Sequence, residues 1–315
     1  MNKREVLLSL LDENARLPYI PAAFFLHFGA DFHTGQAAVN KHLDFFRYTG
    51  MDFVKIQYEK PFPHLPHIEK PRDWAQLPHY DREFFAEQLA VIEGLVKAAK
   101  PEALILVTLY SPYMCAAHTT SHVTVTDHLN HDPELVRPGL EIITDSLLGF
   151  VRACIEIGVD GFYHSTQGGE AHHFEQQDTF ERYIKPYDLI LMQEINQACP
   201  FNILHVCDYE RDYADFSAVR DYPGSVVNAP LHLGDRVLTP QEVARQFGRP
   251  FMGGLERKGV LATGTETQIR TAVEAILREA PERFILAADC TVPGDTSWDN
   301  LKVAIDTAHS YLHSR

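Results

Sequence analysis

The feature that most constrains the fold of this chain is a regular alternation between short apolar segments and longer segments with helical periodicity. The apolar segments end in polar or glycine residues, which is typical of parallel β-strands. Eight strands are predicted, at residues 22–27, 53–57, 104–108, 161–164, 203–207, 226–228, 251–253 and 284–287. Helices are predicted at residues 81–99, 133–157, 180–198, 240–246, 267–279 and 297–313.

Eight strands that alternate with helices predict an α/β protein with the (β/α)₈ architecture of a TIM barrel. A doubly wound open sheet is the rival architecture, and it usually has a glycine-rich phosphate-binding turn after an early strand. The sequence contains neither a G-x-G-x-x-G motif nor a Walker A motif. We therefore expect residues 1–315 to form a single barrel domain, with its functional site at the carboxyl ends of the strands.

The charge and hydropathy of the chain exclude several classes of partner. The sequence has 43 acidic and 28 basic residues, a formal net charge of −15, whereas nucleic-acid binding needs clustered lysine and arginine. The same charge disfavours a polyanionic substrate unless positive charge is concentrated locally. No apolar stretch approaches the roughly 20 residues of a membrane span, and the first apolar run is too short for a signal peptide. We expect a cytoplasmic protein with neither a nucleic-acid nor a membrane partner.

One histidine and two cysteines are the strongest candidates for chemistry. His205 and Cys207 stand two residues apart in the fifth predicted strand, so their side chains point to the same side. Cys290 follows the eighth predicted strand, and in a closed barrel both strand ends open onto one mouth. One imidazole and two thiolates suit zinc, with a fourth position left for water or substrate. The same residues could instead be ordinary core residues, since cysteine is often buried.

A second candidate cluster follows the fourth predicted strand, where polar residues precede the paired glycines Gly168 and Gly169. This pattern predicts a binding loop in which the backbone comes close to a ligand. Whether Glu170 contacts a substrate, supports a metal or does neither stays open. Together with residues of other strand ends, the expected substrate contacts are His27, Tyr163, His164, Gln167, Glu170 and Asp289.

The segment 110–132 is rich in histidine, at positions 118, 122, 128 and 131. The spacing of these histidines matches no tetrahedral metal site. We therefore predict a flexible lid or a substrate-contacting loop here in preference to a metal site. Residues 61–78, rich in proline and histidine, are likewise predicted to form a loop.

Several sequence blocks resemble those of the uroporphyrinogen decarboxylase-like superfamily. They lie in order along most of the chain, at residues 50–55, 158–162, 203–207, 251–255, 261–265 and 293–301. The superfamily includes tetrapyrrole decarboxylases, zinc-dependent methylcobamide:thiol methyltransferases and, more distantly, cobalamin-independent methionine synthases. The resemblance implies a (β/α)₈ barrel.

The branches of this superfamily differ at their sites. Tetrapyrrole decarboxylases carry an R-x-A-G-R element whose arginines hold the acidic side chains of the substrate, and here Leu26 and Ala30 occupy the two arginine positions. The methyltransferase branch carries His-x-Cys and a distant cysteine, which His205, Cys207 and Cys290 match. This resemblance implies that the three residues are catalytic ligands of Zn²⁺, that the substrate is a small thiol, and that the methyl donor is a corrinoid supplied in trans by a separate corrinoid protein.

Some alternatives stay open at this point. The fourth zinc ligand is water, Glu170, His232 or Asp289. A rival function is a decarboxylase-like carbon–carbon lyase that acts on a smaller, less acidic substrate without a metal, through pocket residues such as His27, Tyr163 and Asp289. A non-catalytic carrier of zinc or a corrinoid is the remaining alternative.

Overall fold

Nine β-strands form the framework of the protein, in a computed structural model that describes residues 2–176 and 178–311. Seven of them form one parallel sheet in the order β1-β2-β3-β4-β5-β8-β9, while β6 and β7 form a separate antiparallel pair. Every residue of β1, β3, β4, β5 and β9 is buried, as expected for parallel strands covered by helices. The strands are β1 (Phe53–Ile56), β2 (Leu104–Tyr110), β3 (Gly161–Thr166), β4 (Ile203–Val206), β5 (Val226–Asn228), β6 (His232–Leu233), β7 (Arg236–Val237), β8 (Phe251–Leu255) and β9 (Phe284–Ala288).

An extended segment at residues 21–23 lies between the two edges of this curled sheet. Ala23 N–H donates to Leu286 O in β9 at 3.0 Å, and Ala22 O accepts from Asp52 N–H at 3.0 Å, next to the start of β1. The segment therefore connects β9 to β1 and gives the sheet its TIM-barrel-like form. Of the predicted strand 22–27, the structure retains a single parallel bridge between Ala22 and Leu286. The prediction is too long because the next carbonyls bond elsewhere: Phe25 O accepts from Val292 N–H at 2.8 Å.

Eleven α-helices are present among the described residues, and most of them cover the outer face of the sheet. The predicted helix 133–157 is confirmed, and it ends at Gly158, whose φ of 99° is a left-handed conformation that favours glycine. The other predicted helices are confirmed with shifted ends, and residues 312 and 313 of the last one lie outside the described residues. The helices are α1 (Lys3–Ser9), α2 (Gly35–Thr49), α3 (Ala86–Ala99), α4 (Pro112–Thr119), α5 (His122–His131), α6 (Pro133–Ile157), α7 (Lys185–Ala198), α8 (Pro240–Phe247), α9 (Val260–Thr263), α10 (Glu266–Arg278) and α11 (Trp298–Ser310).

The segment 110–132 corrects the prediction of a flexible loop, because most of it forms α4 and α5. Each helix begins at a serine cap: Ser111 Oγ accepts from Met114 N–H at 3.2 Å, and Ser121 Oγ accepts from Thr124 N–H at 3.0 Å. By contrast, residues 61–78 are irregular, as predicted, apart from a 3₁₀ turn at Pro71–Gln76. Across the described part of the chain, no helix combines the length and apolar character that a membrane crossing requires.

Candidate metal centre

Three side chains from two distant parts of the sequence meet at the carboxyl end of the sheet. His205 lies in β4, Cys207 follows that strand directly, and Cys290 follows β9. One imidazole nitrogen and the two Sγ atoms lie within 4.8 Å of one another. The alternation of side chains along β4 turns His205 and Cys207 inward, and the curl of the sheet brings β9 round to face them.

The pKa values of the two cysteine thiols are shifted in opposite directions. A hydrogen bond from Cys207 holds the pKa of the Cys290 thiol well below its ordinary value, with further help from His205 and Arg257. The same interaction, together with burial, raises the pKa of Cys207. The Cys207 thiol thus hydrogen-bonds to the Cys290 sulfur, and a metal that displaced the thiol proton would find two thiolates.

The donor set fits a zinc ion. One imidazole and two thiolates are a known set of zinc ligands, and three protein ligands leave one coordination position for a substrate. Nδ1 of His205 is buried and has no hydrogen-bonding partner among the described residues. A buried polar atom without a partner is costly, and such an atom is a natural position for a bond to a bound species. Metal binding would replace the hydrogen bond between the two sulfurs as well.

The orientation of His205 is fixed by a chain of contacts that reaches across the barrel. The ring of Tyr163 stacks on the imidazole with centroids 4.9 Å apart and an interplanar angle of 28°. Tyr163 O–H donates to Asn228 Oδ1 at 2.5 Å, and the Asn228 amide donates to Met252 O and to Ala288 O, at 2.9 and 3.0 Å. The tyrosine that supports the β4 ligand is thus tied to the strand that precedes Cys290.

The loops that carry the cysteines are joined by Arg257, which follows β8. Its Nη1 donates to Asp208 Oδ1 at 2.8 Å and to Asp289 Oδ2 at 3.1 Å. The other carboxylate oxygen of Asp289 accepts from the backbone N–H groups of Arg257 and Cys290, both at 2.8 Å. Sequence reasoning missed Arg257; the only available signal was its position two residues beyond a strand end.

A cavity of about 460 Å³ opens onto the cluster, which is a typical size for a small-molecule site. Lys55 lies in its lining and is buried. Its ammonium donates to Gln57 Oε1 at 2.8 Å and Thr108 Oγ1 at 3.1 Å, and lies 4.6 Å from the ring centroids of Phe25 and Tyr163. Burial lowers the pKa of Lys55 to about 7. Sequence reasoning missed this residue too, although a lysine inside an apolar strand is a visible signal.

The predicted substrate contacts fall into two groups. His27, Tyr163 and Gln167 line the cavity, together with the three cluster residues. Gln167 Nε2 also donates to Cys207 Sγ at 3.5 Å. His164 and Glu170 are not among the residues that line it: His164 points to the opposite face of β3 from Tyr163.

Glu170 is buried behind the cavity. Its Oε2 accepts from Gly168 N–H at 2.6 Å and lies 3.4 Å from His173 Nδ1, and burial raises the pKa of Glu170 to about 7. Asp289 lines a neighbouring cavity instead, and His232 lies in the exposed β6–β7 pair, 3.4 Å from Glu256. None of the three suggested fourth ligands joins the cluster among the described residues.

The helices α4 and α5 supply one wall of the cavity. His118 and His122 line it, and burial lowers the pKa of both, to about 4 for His118. These imidazoles are therefore neutral at physiological pH. His128 instead accepts from Trp74 Nε1–H at 2.9 Å in the packing between α5 and the 3₁₀ turn, and His131 is exposed.

Comparisons with known proteins agree with this architecture. The family model described as uroporphyrinogen decarboxylase (URO-D) matches residues 47–311. A methyltransferase from Methanosarcina mazei has a similar structure, with a TM-score of 0.75 at 14% identity over 98% of each chain. A B12-independent methionine synthase from Shewanella sp. W3-18-1 matches with a TM-score of 0.53 at 12% identity, covering 94% of this chain and 97% of the other. A search of curated proteins finds no match. At such low identity, the two structures establish a shared fold.

Proposed function

This chain belongs to the uroporphyrinogen decarboxylase (URO-D) family, and from that membership we propose that it is a zinc-dependent methyltransferase that moves a methyl group from a methylated corrinoid to a thiol. The observation that carries the proposal is the meeting of His205, Cys207 and Cys290 within 4.8 Å at one end of a cavity of small-molecule size. The similarity of the fold to that of a methyltransferase supports it.

His205, Cys207 and Cys290 would hold the metal. A zinc ion there would supply Lewis-acid chemistry, stabilising the thiolate form of a substrate thiol near neutral pH. The surrounding residues keep this donor set in place: Tyr163 fixes the plane of the imidazole, and Gln167 donates to Cys207 Sγ.

The cavity selects a small acceptor. About 460 Å³ accommodates a small thiol, whereas a corrinoid macrocycle is larger than this space, so the donor would present its methyl group at the mouth. We accordingly expect a separate corrinoid protein to deliver it. In the transfer, the carbon–cobalt bond breaks with its electron pair left on cobalt, a carbon–sulfur bond forms, and the thiol proton is released to solvent.

Two neutral imidazoles line the same cavity as the cluster. His118 and His122 are uncharged at neutral pH because burial lowers the pKa of each. Together with Met114 they line the cavity and exclude bulk water from the sulfur that is to be methylated. A dry site favours attack by a thiolate, since water would otherwise solvate and weaken this nucleophile.

The test combines turnover with thiol binding. Zinc-loaded protein is mixed with methylcobalamin and a panel of small thiols, and loss of the methyl–cobalt absorbance is followed. Wild type should turn over at least one thiol, His205→Ala and Cys207→Ser should not, and Cys199→Ser, a change at a cysteine outside the cluster, should behave as wild type.

A second measurement detects thiol binding without turnover. It is therefore independent of how well free methylcobalamin replaces a corrinoid protein. X-ray absorption at the zinc edge should show one added sulfur when a substrate thiol binds. Zinc-loaded protein that takes no thiol into the coordination sphere would contradict the proposal. Metal-free protein that is fully active on a carboxylated substrate would favour the lyase alternative instead.

A further inference from the structure

Arg257 connects the two loops that carry the candidate cysteine ligands. Asp208 follows Cys207, Asp289 precedes Cys290, and the guanidinium Nη1 donates to both carboxylates, at 2.8 and 3.1 Å. The arginine and both carboxylates are largely buried. From this arrangement we infer that Arg257 is a positioning residue that sets the spacing of the two cysteine sulfurs for metal binding. The inference rests on the metal centre of the proposed function but not on methyl transfer.

Cys207 and Cys290 lie just beyond the ends of β4 and β9. The backbone N–H of Cys207 donates to Thr166 O in β3 at 3.1 Å, which anchors its backbone to the sheet, but this bond does not link the loop of Cys207 to that of Cys290. The loop of Cys290 is held through Asp289, whose backbone N–H donates to Leu255 O at 2.8 Å, and whose Oδ1 accepts from the N–H groups of Arg257 and Cys290. Arg257 therefore hydrogen-bonds to this loop through both its backbone N–H and its side chain.

The loop of Cys207 is held by the same guanidinium nitrogen, Nη1. Asp208 is 11% exposed, and its carboxylate forms a salt bridge with Arg257, which also bonds Asp289. The guanidinium thus bridges two loops that the sheet order separates by β5 and β8. Arginine suits this task because a single guanidinium nitrogen carries two N–H groups and can donate to two carboxylates, while the group keeps its charge at any physiological pH.

The positive charge of Arg257 has a second effect. When the metal ligands are ionised, two thiolates and two carboxylates crowd one strand-end region. Each carboxylate repels the neighbouring thiolate, and burial leaves this repulsion poorly screened. Arg257 places one positive charge between the carboxylates. Its loss would both release the loops and raise the repulsion, so metal affinity should fall even though no metal ligand is changed.

The experiment compares Arg257→Met, Arg257→Lys and a matched control, Arg249→Met. Arg249 is a partly buried arginine whose guanidinium donates to Tyr222 O and Gly224 O, away from the cluster. Zinc affinity is measured by competition with a chromophoric chelator, and the Co²⁺-substituted proteins are compared by their d–d and thiolate charge-transfer absorption. Supporting residues of metal ligands typically contribute roughly 10–100-fold in affinity.

We expect Arg257→Met to weaken zinc binding within that range and to alter the Co²⁺ spectrum. Arg257→Lys, which keeps the charge on a shorter side chain, should weaken zinc binding severalfold. Arg249→Met should leave both readouts as in wild type, even if it lowers the melting temperature. Wild-type affinity and spectrum in Arg257→Met would overturn the inference. If that variant does not fold, the same result in Arg257→Lys would do so.

A metal-free readout separates this inference from the proposed function. An aryl arsenoxide condenses with two nearby thiols, forming two arsenic–sulfur bonds and releasing one water without a change of oxidation state. Wild type should bind one equivalent, Cys207→Ser none, and Arg257→Met with weakened affinity. If wild type binds no zinc but still binds the arsenical in an Arg257-dependent way, the proposed function fails and the positioning role stands. Arsenical binding that does not depend on Arg257 counts against the positioning role.

Discussion

Thiolate character at the candidate metal centre is a property of a few side chains. The contact between Cys207 and Cys290 raises the pKa of the first thiol and lowers that of the second, and His205 lies beside them with a buried Nδ1 that has no partner among the described residues. Each of these three residues is thus left with a bonding capacity that packing does not use. This is the opposite of Cys154, which is fully buried and whose thiol pKa is raised by burial, as in an inert core cysteine.

Replacing either cluster cysteine should remove the metal and leave the fold. Cys207→Ser and Cys290→Ser should each weaken zinc binding by more than the roughly 10–100-fold that loss of a supporting residue costs, because a serine hydroxyl is a poor zinc ligand. Metal content by mass spectrometry and circular dichroism measure the two effects. Cys199→Ser is the matched control and should retain zinc. A Cys290→Ser protein with a full equivalent of zinc would show that the cluster is not the binding site.

A buried carboxyl group away from the cluster should make the stability of the protein depend on pH. Asp188 in α7 is fully buried, accepts from Thr166 Oγ1 at 2.5 Å and Tyr222 O–H at 2.9 Å, and burial raises its pKa to about 7. The folded protein therefore keeps a proton that the unfolded chain loses near pH 4. Stability is therefore lost progressively as the pH rises from about 4 to about 7, and the loss is complete above the folded pKa. The free energy of unfolding of Asp188→Asn, relative to that of wild type, should therefore increase by about 2–3 kcal/mol from pH 5 to pH 8.

Urea unfolding at the two pH values measures this difference. The amide oxygen introduced by Asp188→Asn would accept the same two hydrogen bonds, while the amide cannot ionise. The buried NH2 group would add the same cost at both pH values, so the change in the free-energy difference with pH reports on the ionisation alone. Asp145→Asn, at an exposed position of α6, is the control and should differ from wild type by the same amount at both pH values. If the free-energy difference between Asp188→Asn and wild type is the same at pH 5 and pH 8, Asp188 does not hold a raised pKa.

The role of a single residue could be predicted from the sequence where it depends on neighbouring residues in the chain, and not where it depends on distant ones. His205 and Cys207 share one face of a strand, and two-residue alternation is enough to see this. Lys55 and Arg257 could not be assigned in the same way. The role of Arg257 depends on carboxylates from two other loops, and the burial of Lys55 against Phe25 and Tyr163 depends on how the strands curl.

At the scale of secondary-structure elements, several helices begin at a residue whose side chain caps the first turn. α10 begins at Thr265, whose Oγ1 accepts from Gln268 N–H, while Gln268 Oε1 accepts from Thr265 N–H at 2.8 Å. This reciprocal capping box satisfies backbone groups that have no partner within the helix. The same device begins α8, at Thr239 and Glu242.

Removing the cap of α10 should cost about 1 kcal/mol. Thr265→Ala loses the side-chain acceptor at the helix start, and such changes typically lower stability by about 0.5–2 kcal/mol. Thr271→Ala, in the exposed interior of the same helix, is the matched control. Its effect should lie within about 0.5 kcal/mol of zero, since alanine has the higher helix propensity. Equal losses in the two variants by urea unfolding would mean that the cap contributes nothing.

Prediction of elements succeeded where periodicity was strong and failed where it was not. The helix 133–157 has a clear apolar stripe and a glycine after its end, and its bounds are those of α6. The segment 110–132 lacks such a stripe, because α4 is buried on nearly all sides and α5 is rich in polar residues. Its serine caps, at Ser111 and Ser121, were the local signal for two helices. The end of the predicted strand 22–27 could not be seen, because it depends on where its partners lie.

Over the protein as a whole, the acidic composition differs from the mixed charges that line the main cavity. The chain has a net charge of −15, yet Lys55, Arg257 and Lys258 all line the main cavity. These charges are offset: Arg257 is paired with Asp208 and Asp289, and burial lowers the pKa of Lys55 to about 7. Glu210 lines the same cavity. Basic and acidic groups are therefore mixed at the site, and the expectation against a polyanionic substrate is unchanged.

Zinc should stabilise the entire fold and not only its site, because the ligands come from two strand ends that are far apart in the sequence. Cys207 follows β4 and Cys290 follows β9, so unfolding of either region breaks the donor set. Binding to the folded state alone adds about 2.7 kcal/mol at a free zinc concentration of about 100 times Kd. For a protein of this size, that corresponds to an increase in Tm of roughly 4 °C. Thermal unfolding with and without zinc measures the shift.

Two comparisons make this last prediction specific. The unfolded chain also binds zinc through its cysteines, which reduces the shift. Cys290→Ser keeps four of the five cysteines and therefore nearly all of this competing binding, but it should show no rise in Tm. Mg²⁺ should have no effect on wild type, because it prefers oxygen ligands. An equal zinc-induced rise in wild type and Cys290→Ser would mean that the metal binds elsewhere, since only a site built from β4 and β9 together requires that cysteine.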